Sequence, residues 1–147
     1  MTLQFQHVLV PLDFSQANAE LLNVVYNMVS ENHARVTLLH VIEAIGDETD
    51  EELDEFYASL EPAARGKLGS AAQRFVDAGL AVEQQVVTGR RMPSIVQYAM
   101  EQGIDLIVVG SRRLDLANPQ VGIGNLGYQV SMFCQCPVLL LKHEGNA

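Results

Sequence analysis

The amino-acid sequence predicts an α/β chain: a doubly wound, open, parallel five-stranded sheet of order 3-2-1-4-5 with helices on both faces. Three observations carry this expectation. Near-continuous apolar runs such as Val36–Ile42 and Leu106–Val109 suit strands covered on both sides. Stretches of helical periodicity separate these runs, so neighbouring strands are parallel and each right-handed crossover must cover the sheet it leaves. Finally, 147 residues are enough for one domain, spanning 1–147, with a single core.

The elements follow in order. His7–Leu12 is an apolar run containing Pro11 and closing on Asp13-Phe14-Ser15, a turn and helix start. From Ala17 to Val29, Leu21, Leu22, Val24, Val25, Met28 and Val29 recur at helical spacing. Arg35–Ile42 is the second strand. Between Leu60 and Ala78 the face Leu68, Ala71, Ala72, Phe75 and Val76 predicts a helix from about residue 63. Pro62, Gly66 and Gly69 weaken its first half, and a separate leading turn is expected near 50–57. Gly79 ends that helix. Val82–Thr88 alternates as an edge strand does, Pro93–Gln102 is a third helix, and Asp105–Val109 is the fourth strand. A glycine-bearing loop leads to a helix at 125–134, and Pro137–Leu141 is the fifth strand.

Composition excludes several classes. The net charge of −9 opposes nucleic acid and anionic lipid, so neither partner is expected. No apolar run is long enough for a membrane span, and the first residues lack the pattern of an export signal, so the expected location is the cytoplasm. Glu43, Asp47, Glu48, Asp50, Glu51, Glu52, Asp54, Glu55 and Glu61 crowd residues 43–61 without a Lys or Arg. That segment reads as a solvated, partly mobile crossover, and its spacing does not make a calcium loop, so no metal site is expected. Cys134 and Cys136, separated by one residue, read as reduced thiols; a redox pair and buried or interface thiols remain the alternatives. His7, His33, His40 and His143 stand beside no nucleophile-like turn, and no catalytic residue is assigned.

In a doubly wound sheet a ligand sits beyond the carboxyl ends of the strands, where the winding reverses. That point lies between strands one and four, which places Asp13 opposite Gly110, Ser111 and Arg112. Gly110, Gly122 and Gly124 allow successive N–H groups to line a concave turn ahead of a helix, a patch suited to an anion.

The motifs His-Val-Leu-Val-Pro-Leu-Asp-Phe-Ser at 7–15, Asp-Leu-Ile-Val-Val-Gly-Ser-Arg at 105–112 and Cys-Pro-Val-Leu-Leu-Leu at 136–141 resemble the universal stress proteins along the whole chain. The resemblance implies a homodimer paired through strand five and, in many members, bound ATP or AMP. It places Asp13 by the adenine and ribose, with Pro11 and Val41 beside it. Members that bind ATP resemble one another in a loop Gly-x2-Gly-x9-Gly-Ser/Thr. Gly110 matches its first glycine, Arg113 falls on the second, and Gly124 with Asn125 falls on the last pair after a loop one residue longer. Arg112 and Arg113 read either as a solvated loop pair or as side chains that meet phosphates, Asn125 is expected to cap a helix, and the flanking Val109 and Leu126 complete the set. Were Arg113 held at positive φ, it would add strain of about 1 kcal/mol or more. The alternative is a family branch that binds no nucleotide and acts through dimerisation and protein partners. Neither reading is an enzyme: the chain has no Walker lysine or evident base, so ATP hydrolysis or adenylyl transfer would be slow and incidental.

Overall fold

The computed structural model describes residues 4–44, 51–118 and 125–144. Its elements are β1 (His7–Pro11), α1 (Ala17–Asn32), β2 (Arg35–Glu43), α2 (Glu51–Asp77), β3 (Val82–Gly89), α3 (Arg91–Glu101), β4 (Leu106–Arg112), α4 (Leu126–Phe133) and β5 (Val138–His143). All strand pairs are parallel and the sheet runs β3-β2-β1-β4-β5, the order expected from the sequence.

Alternation along the strands divides the core in two. Val8, Val10, Leu38 and Val108 face a layer completed by Leu21, Val25 and Val29 of α1 and by Leu68, Ala72 and Phe75 of α2. Leu9, Leu39, Val41, Ile107 and Val109 face the other layer, closed by Ile95 and Ala99 of α3 and Val130 of α4. Gly79 at φ +75° takes the left-handed position that ends α2, and its N–H bonds the Val76 carbonyl.

Two elements differ from expectation. α2 is one 27-residue helix through Pro62, Gly66 and Gly69, rather than a turn followed by a helix from residue 63. The proline forfeits one intrahelical hydrogen bond, but the acidic residues Glu51, Glu52 and Asp54 complement the positive end of the helix. The Glu61–Arg65 pair spans the proline's own turn. The acidic residues from Glu51 onward are therefore helical, and 45–50 lie outside the described residues. Val76, expected on the buried face, is 53% exposed; Ala64, Leu68, Ala72 and Phe75 make the buried stripe.

The second difference bears on the site. β4 continues three residues past Val109, pairing Gly110 with Leu141, Ser111 with Lys142 and Arg112 with His143, so β5 also reaches His143. Gly110 is thus a strand residue and not the first residue of a loop. β1 pairs with β4 only at Val8–Leu106 and Leu9–Ile107, whereas it pairs with β2 as far as Pro11–Leu39. Pro11 has no N–H to offer a neighbouring strand. Beyond Leu9 the first and fourth strands part, and a cleft opens at the sheet's carboxyl edge.

Candidate functional site

The cleft is a cavity of about 510 Å³. Val41, Leu39, Val109 and Ile95 give it an apolar floor, and Pro11 and Leu126 add to its sides. Polar groups ring this floor: Asp13 and Ser15 after β1, Arg91 at the start of α3, Arg112 and His143 at the ends of β4 and β5, and Asn125 ahead of α4.

Asp13 is held by a strained turn. Its Oδ1 accepts the Ser15 N–H at 2.9 Å, and Phe14 between them sits at φ 64°. A bulky residue in the left-handed region costs on the order of 1–2 kcal/mol. Three contacts hold it there: the Phe14 N–H donates to Asn18 Oδ1 at 2.7 Å, the ring stacks on His40 at 4.2 Å between centroids, and Lys67 Nζ lies over the ring at 5.2 Å from its centroid. His40 Nδ1 in turn meets the Leu12 carbonyl at 2.8 Å; since a carbonyl only accepts, Nδ1 carries the proton. Burial alone would raise the Asp13 pKa. The Ser15 hydroxyl, the Ser15 N–H and the Arg91 charge outweigh it, so the carboxyl lies below its ordinary value and is ionised at neutral pH.

At the opposite wall, Asn125 caps α4, its side-chain oxygen accepting the Gly127 N–H at 3.0 Å. Gly127 allows the close approach of α4 to β4, because a Cβ there would lie 2.9 Å from the Gly110 carbonyl oxygen and 3.1 Å from Ser111 Cβ. The positive end of α4 thereby faces the cleft.

The structure brings together Pro11, Asp13, Val41, Val109, Gly110, Arg112, Asn125 and Leu126 of the expected set. Ser111 and Arg113 are not among the lining residues. Ser111 is 1% exposed within the extended strand. Arg113 has no positive φ; its N–H bonds the His143 carbonyl at 3.0 Å, and its guanidinium stands 3.5 Å from Glu144 in solvent. Gly124 lies outside the described residues. Sequence reasoning missed Arg91 and His143. Arg91 pairs with Glu43 at 3.4 Å and also reaches the cavity from the start of α3. His143 lies beyond the apolar run that marks β5, and continuing the strand by two residues would have found it.

The universal stress protein family model matches residues 4–142. The chain belongs to the universal stress protein family. Among the relatives of this universal stress protein, YxiE of Bacillus subtilis is 26% identical over 94% of this chain and 99% of its own. MJ0577 of Methanocaldococcus jannaschii superposes with a TM-score of 0.80 at 26% identity, covering 98% of this chain and all of that one. A family protein of Arabidopsis thaliana, solved with AMP bound, shares the fold at TM-score 0.69 and 20% identity, covering 95% and 93% of the two chains.

Proposed function

We propose that this universal stress protein is a stress-response binding module holding an adenine nucleotide, AMP or ATP, in the cleft between β1 and β4. One observation carries the reading: an apolar cavity with an ionised carboxylate after β1 faces Arg91, Arg112, His143 and the positive end of α4. The carboxylate suits hydroxyl and amino donors, the apolar floor suits a flat base, and the two guanidinium groups suit phosphate. The AMP-bound Arabidopsis relative of the same fold supports this ligand class. The reading is binding, not turnover, in the cytoplasm. Homodimerisation through β5 accords with a strand that pairs on one side only among the described residues, with Leu139 39% exposed.

A second reading has its own support. Arg113 stands where ATP-binding members have a glycine, and its N–H is engaged by β5. A member without nucleotide, working through dimerisation and protein partners, accords with that loss of a backbone donor. The test is to denature freshly purified protein, chromatograph the supernatant for nucleotide, and titrate AMP and ATP into the emptied protein. Saturable binding below about millimolar concentration, roughly −4 kcal/mol, supports the first reading. Absence of binding at that concentration leaves the second.

A further inference from the structure

At the far end of α4 from the nucleotide cleft, Cys134 closes the helix and Cys136 precedes β5. Their sulfurs are 3.3 Å apart. Both half-buried thiols line a separate cavity of about 340 Å³, together with Ala99 and Met100 of α3 and with Gly103 and Ile104. We propose that this Cys-x-Cys turn is a binding site for one soft monovalent cation of the Cu(I) class, held by the two sulfurs, with Met100 of the same cavity rim able to swing in as a third donor.

The donor set decides the class. Among the described residues no three of His, Cys, Asp and Glu gather to cage an ion, so a zinc or calcium site is short of ligands. Thiolate and thioether sulfur select Cu(I), which accepts low coordination numbers. With metal–sulfur bonds on the order of 2.3 Å, sulfurs 3.3 Å apart subtend roughly 90°. Parting them to about 4 Å gives an angle near 120° at those bond lengths and leaves a third position for Met100. Binding breaks two S–H bonds, forms two S–Cu bonds, releases two protons to solvent and leaves copper as Cu(I), with no electron transferred. The complex carries one negative charge.

Oxidation to a disulfide suits the turn less well. A disulfide needs sulfurs at about 2.05 Å across a ring closed by a single intervening residue. Burial, followed by the neighbouring Cys134 thiol, pushes the Cys136 thiol up to about 12, so it is a poor nucleophile toward peroxides or small disulfides. Cation binding must release the same protons, so Cu(I) uptake is expected to strengthen as pH rises.

The experiment is anaerobic competition for Cu(I) between the full chain and a chromogenic chelator. Wild type is expected to withdraw one Cu(I) per chain. Cys134→Ser and Cys136→Ser each lose at least the roughly tenfold that even outer-shell changes cause at metal sites, and Met100→Leu loses less. Far-UV circular dichroism checks that the variants fold. If Cys136→Ser does not, alkylation of the wild type replaces it, with both cysteines expected to be protected by Cu(I). No withdrawal of copper overturns the proposal. So does half an ion per chain, which places the ion between two copies, and so do undiminished affinity in Cys134→Ser and unprotected thiols.

Discussion

The two lips of the cleft meet the same sheet edge and are built in opposite ways. After β1 the ladder to β4 stops at Leu9, and the chain enters a strained turn that fixes one carboxylate. After Val109, β4 stays zipped to β5 through Arg112, so every second amide, in the series from Ile107 to Arg113, is spent on that ladder, and Arg112 brings its charge to the cleft on a side chain. One lip is therefore preorganised by backbone and hydrogen bonds. The other depends on Arg91, Arg112 and His143 and on the end of α4. Strand pairing, more than glycine content, decides which backbone amides are free to meet a ligand.

The contrast can be broken at either lip. The largest effect is expected at Asp13: Asp13→Ala should weaken adenosine, AMP and ATP alike by about tenfold or more, the loss expected for hydrogen bonds to a charged group, as read by calorimetric titration. Next, Gly127→Ala should destabilise the fold by about 1–2 kcal/mol in chemical denaturation, because its Cβ meets the Gly110 carbonyl oxygen at 2.9 Å and overpacking outweighs the gain in helix propensity. Arg91→Gln with Arg112→Gln should weaken AMP by several fold, leave adenosine unchanged, and reduce the salt dependence of AMP binding. Arg113→Ala should change neither ligand, since among the described residues its guanidinium pairs with the exposed Glu144 and does not line the cleft.

A control lies at the other end of the sheet. His7 Nε2 meets Thr37 Oγ1 at 2.7 Å, and burial, then Arg35, holds its pKa below 6.5. The unfolded chain binds this proton more readily, so stability rises with pH through the window from the lowered folded value up to 6.5 and falls on acidification through it. His7→Gln should flatten thermal stability across that window without altering nucleotide affinity at neutral pH.

Much of this architecture was legible in the sequence because each strand is a short apolar run between helical periodicities, and the topology follows from right-handed crossovers. The β1 lip was legible for a local reason: Pro11, Asp13 and Ser15 sit together in the chain and their chemistry is that of a turn. The β4 lip was not. Gly110-Ser111-Arg112 has the composition of a loop, and only pairing with Leu141-Lys142-His143, distant in sequence, makes it a strand. α2 was obscured in the same way, since Pro62, Gly66 and Gly69 lower propensity locally while Ala64, Leu68, Ala72 and Phe75 are held by the sheet. Arg91 was not legible as a site residue because it opens α3, 22 residues before Arg113, and only the fold brings it to the edge shared with Asp13.

The most direct measurement is a paired titration of adenosine and AMP into nucleotide-free wild type, Asp13→Ala and the Arg91→Gln/Arg112→Gln variant. The account predicts that Asp13→Ala weakens both ligands equally and that the arginine variant weakens AMP alone. Equal loss of adenosine and AMP in the arginine variant, or wild type that binds neither at about millimolar concentration, would contradict it.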